Sequence, residues 1–124
     1  MTPTTLVIGG RAAMREAAIA AAVDPAVPSA AILEGMASGT GDLDARASSA
    51  LQIIRIAPGC MCCVGNLTLR VTLNRLLRKP PSRLFIAIAD STHLKQIRAF
   101  LTQEPYDAFL TLSDHIDVDK TIDA

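Results

Sequence analysis

The chain reads as a three-layer α/β domain, a mostly parallel sheet of about five strands with flanking helices. Three observations predict this class. Short runs of Ile, Leu and Val alternate with stretches of helix-forming composition, the pattern left by strands that pair in parallel through right-handed crossovers. The run at 83–89, Arg-Leu-Phe-Ile-Ala-Ile-Ala, is apolar almost throughout, as a strand covered on both faces must be. Half of the 124 residues are apolar, yet there are three Phe, one Tyr and no Trp, so the core must be aliphatic, which suits helix-covered parallel strands.

Taken in order, Thr5, Leu6, Val7 and Ile8 form a β-branched run that ends at Gly9 and Gly10. A helix is expected from there to Val23, where Asp24 and Pro25 stop it. Ala30, Ala31, Ile32 and Leu33 make a second strand. Residues 34–49 are rich in Gly, Ser, Asp and Ala and read as a long loop. The third strand runs over 51–56 and is closed by Pro58 and Gly59. Residues 67–79 are ambiguous by periodicity, but the capping residue Asn66, the basic last turn and the stop at Pro80 and Pro81 predict a helix. After the strand at 83–89 come a turn through Asp90 and His93, a helix over about 94–102, and a last strand at 108–112. Residues 113–124 are polar and acidic, bury little, and are expected to fray as a tail behind a domain spanning 1–112.

The formal net charge is zero, which gives no electrostatic reason to expect nucleic acid or a membrane surface as partner. No apolar run approaches the roughly 20 residues that cross a bilayer. The Ala-rich stretch at 17–23 lacks the layout of a signal peptide, because Arg11, Arg15 and Glu16 lie in or beside it. A cytoplasmic, reducing location is therefore expected, where clustered cysteines bind metal or do redox chemistry rather than form structural disulfides.

Ligands of such sheets bind beyond the carboxyl ends of the strands, and three loops lie there: the Gly9-Gly10 turn, the segment after the third strand, and the turn at Asp90. The second of these holds all three cysteines of the chain, Cys60, Cys62 and Cys63. Between a strand and the start of a helix, deprotonated sulfurs are stabilised and make a soft-metal site for zinc or another transition metal. Three thiolates fall one short of a tetrahedral structural zinc. The fourth position is open to water, His93, Glu34, a partner chain or nothing. A bridge between adjacent Cys62 and Cys63 would be strained.

Each feature has a plainer reading. The cysteines can be small buried hydrophobes, and His93 a surface histidine or a helix cap. His115 falls in the tail. Arg70, Arg75, Arg78, Lys79 and Arg83 form a basic run without interleaved aromatics, the usual solvated face of a helix. Gly9 and Gly10 can be only the turn that a strand-to-helix join requires, and Asp90 a helix cap.

The run Pro58-Gly59-Cys60-Met61-Cys62-Cys63-Val64-Gly65-Asn66-Leu67, continuing through Leu69, Arg70, Leu73, Arg75, Leu76, Leu77 and Arg78, resembles the Gly-Cys-x-Cys-Cys region and following helix of the CobW-type P-loop GTPases. The likeness runs on through Pro81, Ser82, Arg83 and Leu84 and is specific over 54–83. It implies a P-loop NTPase-like fold, an association with delivering zinc or cobalt, and a metal-binding role for Cys60, Cys62 and Cys63.

The nucleotide motifs depart from that pattern. A phosphate loop needs bare glycine backbone, a Lys for the β/γ oxygens and a Ser or Thr for magnesium. Counting from Gly9, this chain offers Met14, Arg15 and Glu16, so Gly9, Gly10 and Arg15 are what remains of a degenerate cofactor loop, with Glu16 aiming negative charge at the phosphates. The family's Glu-x-Thr-Gly run is met in an ungapped match by Ala87 at the acid, Ala89 at the Thr and Asp90 at the Gly, and in a shifted match by Asp90 as the acid and His93 at the Gly; neither restores the motif, and no Asn-Lys-x-Asp guanine-reading loop follows. The expectation is a truncated CobW-like pseudo-GTPase that keeps a transition-metal site, with GTP and magnesium not expected as cofactors. Two alternatives stay open: a divergent but active GTP-binding metallochaperone GTPase, and an interaction module that forms a homo-oligomer or pairs with a complete CobW-like paralogue.

Overall fold

The computed structural model describes residues 2–35, 50–56, 67–89, 92 and 94–119. Their elements follow the expected alternation: β1 (Thr2–Ile8), α1 (Ala12–Ala22), β2 (Ser29–Glu34), β3 (Leu51–Ile56), α2 (Leu67–Leu76), β4 (Arg83–Ala87), α3 (Leu94–Leu101), a 3-10 turn (Tyr106–Ala108), β5 (Leu110–Leu112) and β6 (Ile116–Asp117). The strands lie in the order β3-β2-β4-β1-β5, with β6 also on β1, and every pairing is parallel. β4 and β1 are therefore central and bonded on both sides, which is where the near-continuous apolar runs have to be.

Side chains of a strand alternate between faces, and this sheet sorts them into two cores. Leu6 and Ile8, Ala30 and Ile32, and Leu84, Ile86 and Ile88 pack with Leu69, Leu73 and Leu76 of α2 and with Ile97, Phe100 and Leu101 of α3. Val7, Ala31, Leu33, Phe85 and Ala87 pack on the other face with Ile19 and Ala20 of α1. Helices on both faces make the three layers. The ambiguous segment after the cysteines is thus a helix, because Leu69, Leu73 and Leu76 at helical spacing meet one face of the sheet, leaving Val71 exposed. Arg70, Arg75, Arg78 and Lys79 are exposed, as a solvated helix face should be.

Residues 113–119 do not fray as expected. β5 and β6 are two halves of one edge beside β1, with Thr2 opposite Leu110 and Val7 opposite Ile116. Ser113 stitches the break between them, donating its N–H to the Thr4 carbonyl at 3.0 Å and sharing a hydroxyl hydrogen bond with Thr5 at 2.9 Å. Val118 is buried in the core on the α1 side. The apolar residues that hold this arm, Ile116 and Val118, alternate with Asp117 and Asp119, so the acidic composition hid a period-2 signal.

Candidate functional site at the carboxyl edge of the sheet

β1 ends in the Gly9-Gly10 turn, whose two residues have φ of 84° and 56°. These left-handed values favour glycine. Space enforces the same choice: a Cβ on Gly9 would fall 2.6 Å from Asp117 Oδ1, and one on Gly10 would fall 2.8 Å from Val118 Cγ2. The segment at 117–119 thus closes directly over the turn.

α1 starts behind this turn without a side-chain cap from Arg11. Arg15 reaches back from its first turns, and its Nη1 donates to the carbonyls of Gly9 at 3.0 Å and Gly10 at 2.8 Å. The residue is only 4% exposed, and its Nε has no partner. Burial lowers the Arg15 pKa, opposed by the negative charges of Glu34, Glu16 and Asp119. The Arg15 cation is therefore turned onto the carbonyls of the turn itself. On the other side of the turn, the Gly10 N–H donates to Asp119 Oδ2 at 3.0 Å. Met14 lies close by, with its sulfur 3.0 Å from where a Gly10 Cβ would stand.

Glu16 does not aim at a phosphate position. It shares the buried face of α1 with Ile19 and Ala20, and its carboxylate forms a two-pronged pair with Arg55 of β3, both contacts at 3.0 Å. A carboxylate 6% exposed in its side chain must have such a partner, since an unpaired buried charge is costly.

Glu34, at the end of β2, is 3% exposed and accepts the Ala89 N–H on Oε1 at 2.8 Å. Opposite it in the sheet register is Ile56, the last residue of β3, whose carbonyl accepts the Gly35 N–H at 3.0 Å. Glu34 is thus held against the point where the chain leaves β3 towards the cysteines. Ala87 is a buried methyl in the core on the α1 side.

Cys60, Cys62, Cys63, His93 and Asp90 lie outside the described residues. Among the described residues, no group of three His, Cys, Asp or Glu side chains could hold a metal ion. Nor is any described helix long and apolar enough to cross a membrane. A groove of about 220 Å³ lies between β3 and α2, lined by Gln52, Ile54, Val71, Thr72, Arg75 and Lys79 among others. Arg75 and Lys79 of the basic run line it, whereas Gly9, Gly10, Arg15 and Glu34 do not.

Sequence reasoning missed the Glu16–Arg55 pair and the Asp119–Gly10 contact. The first had a signal: Glu16 shares a helical face with Ile19 and Ala20, so a buried acid in need of a cation was readable there. The second joins residues 109 positions apart and had none before the arm was placed.

No protein-family profile matches the chain, and no solved structure does. Over 67 residues, 53% of the chain, it is 42% identical to the zinc chaperone YeiR of Escherichia coli (strain K12). The matched part is 20% of that protein's length, so the chain corresponds to a fraction of it. The match supports the CobW-like resemblance.

Proposed function

We propose that the chain is a CobW-like metal-binding domain in which the thiolates of Cys60, Cys62 and Cys63 hold zinc or cobalt for trafficking or regulation, without nucleotide hydrolysis. The observation that carries this reading is the 42% identity to a zinc chaperone, in a chain whose three cysteines fall within four positions after β3. The donor set fits the ion: thiolates suit zinc and other borderline-soft metals, and three of them leave a position through which an ion can be exchanged. Glu34 and His93 are the candidates of this chain for that position. Glu34 is anchored at the end of β2 beside the start of the cysteine segment.

The geometry around Gly9 and Gly10 supports the loss of nucleotide chemistry. Arg15 is committed to the loop carbonyls and the Gly10 N–H to Asp119, so neither is free for a phosphate. A divergent but active GTPase would have to break both. It predicts magnesium-dependent binding of a fluorescent guanine nucleotide at micromolar concentration, and the present reading predicts none at millimolar. The groove beside β3, with Val71 48% exposed next to it, favours as a second reading a surface for a complete paralogue or a second copy. Concentration-dependent sedimentation, with and without a complete homologue, tests that reading.

The metal reading is tested by titrating the reduced protein with zinc against a chromophoric chelator, beside a Cys60→Ser/Cys62→Ser/Cys63→Ser variant. Loss of all three thiolates should weaken zinc binding by more than about a thousandfold. Equal affinity in the two proteins removes the reading.

A further inference from the structure

We infer that the arm at residues 113–119 is an autoinhibitory latch: it holds the β1–α1 turn shut against phosphate-type anions by supplying the carboxylate of Asp119 in their place. Four observations carry this. The arm is built onto the sheet through β6, with Val7 opposite Ile116 and Ile8 opposite Asp117. Val118 is 5% exposed and lies directly over Gly10. Asp119 Oδ2 accepts the Gly10 N–H at 3.0 Å, and its own N–H is fixed by Asp117 Oδ1 at 3.0 Å, the bond that an aspartate makes when it caps a helical turn. Under the turn, Arg15 is a buried cation whose Nε–H has no acceptor.

A backbone N–H ahead of an 11-residue helix, with a buried guanidinium behind it, is chemistry that attracts an anion. The carboxylate of Asp119 meets that demand from within the chain. A phosphate oxygen would make the same contact, so the two compete for the Gly10 N–H. Intramolecular attachment gives the carboxylate the advantage, because it is present at high effective concentration whatever the solution contains. Arg15 is then left to bond the carbonyls of Gly9 and Gly10, which keeps the turn in its closed form. An anion gains access when the arm lifts from β1. The latch does not depend on the metal reading, since no cysteine takes part in it and a zinc titration leaves it untouched.

The experiment uses the full chain and inorganic pyrophosphate, followed by calorimetry and by the Gly10 amide signal in nitrogen-15 NMR. In the unaltered protein, millimolar pyrophosphate should leave Gly10 unmoved. If the closed latch is open about one-tenth of the time or less, Asp119→Ala should raise pyrophosphate affinity about tenfold or more and give a saturable Gly10 shift. Asp119→Leu, which keeps the size and removes both the charge and the acceptor, covers the case in which the alanine variant fails to fold. Val118→Ala loosens the arm without touching the carboxylate and should give a smaller gain of the same kind. Asp114→Asn removes an equal charge from an exposed place on the same arm and should give none. No gain in a folded Asp119 variant overturns the latch, as does an equal gain from Asp114→Asn, which would reduce the effect to general electrostatics.

Discussion

The two faces of this sheet are built on different terms. Beneath α2 and α3 the core is almost wholly aliphatic and aromatic, with Leu69, Leu73, Leu84, Ile86 and Leu101 each at most 1% exposed. Beneath α1 the packing is shared with charge: Arg15 and Glu16 are both 4% exposed, and each is placed by a specific partner. The charged face is the one beside the Gly9-Gly10 turn and the end of β2, where the candidate site stands. Apolar contacts tolerate small shifts, whereas a buried ion pair or a guanidinium on two carbonyls accepts one geometry. The difference implies that the α2/α3 face supplies most of the stability and the α1 face supplies the position of the loops.

Two sets of substitutions should break that division. Leu73→Ala, on the apolar face, removes a side chain with no exposure and leaves a cavity, so it should lower unfolding free energy by about 3–4 kcal/mol in urea melts. No conservative polar partner can restore it. Arg55→Leu, on the charged face, strands the Glu16 carboxylate and should cost about 2 kcal/mol, less than a fully buried pair because the Arg55 side chain is 26% exposed. Converting both residues, Glu16→Leu with Arg55→Leu, should return stability to within about 1 kcal/mol of the starting protein. A double variant as weak as the single one would mean that the pair contributes to stability directly, and the comparison between the faces would lose its point.

What could be read from the sequence follows the same line. The aliphatic face was legible because its signals are local: Leu84, Ile86 and Ile88 alternate within one run, and Leu69, Leu73 and Leu76 repeat at helical spacing. β3 was expected over 51–56 and is found there, since a run of Ile and Leu is bounded closely by Pro58 and Gly59. The charged face was less legible, because its bonds join elements far apart in the chain. Glu16 was expected to face a phosphate and instead pairs with Arg55, a partner 39 residues away on a strand whose neighbours only the topology sets. The arm at 113–119 was expected to fray because its acids outnumber its apolar residues. Two apolar side chains suffice for docking when a central strand offers an unpaired edge, as β1 does beyond Thr4.

The smallest expected effect sits on the apolar face, where Tyr106 is a titratable group packed on Phe100. Its ring lies 5.1 Å from that of Phe100, its hydroxyl donates to Asn74 Oδ1 at 3.1 Å, and the Arg70 guanidinium stands 5.4 Å over the Phe100 ring. Burial raises the Tyr106 pKa above the ordinary tyrosine value, while the charge of Arg70 opposes the shift. Because the folded pKa is raised, the stabilisation is complete below the ordinary tyrosine pKa of about 10 and is lost as pH rises through the folded value. The chain has one Tyr and no Trp, so phenolate absorbance reports this group alone. Its midpoint should lie above that of a free tyrosine and move higher still in Arg70→Met. A midpoint that falls in this variant would show that Arg70 acts on Tyr106 through packing on Phe100 and not through its charge, and the apolar face would then be more tightly coupled than its contacts imply.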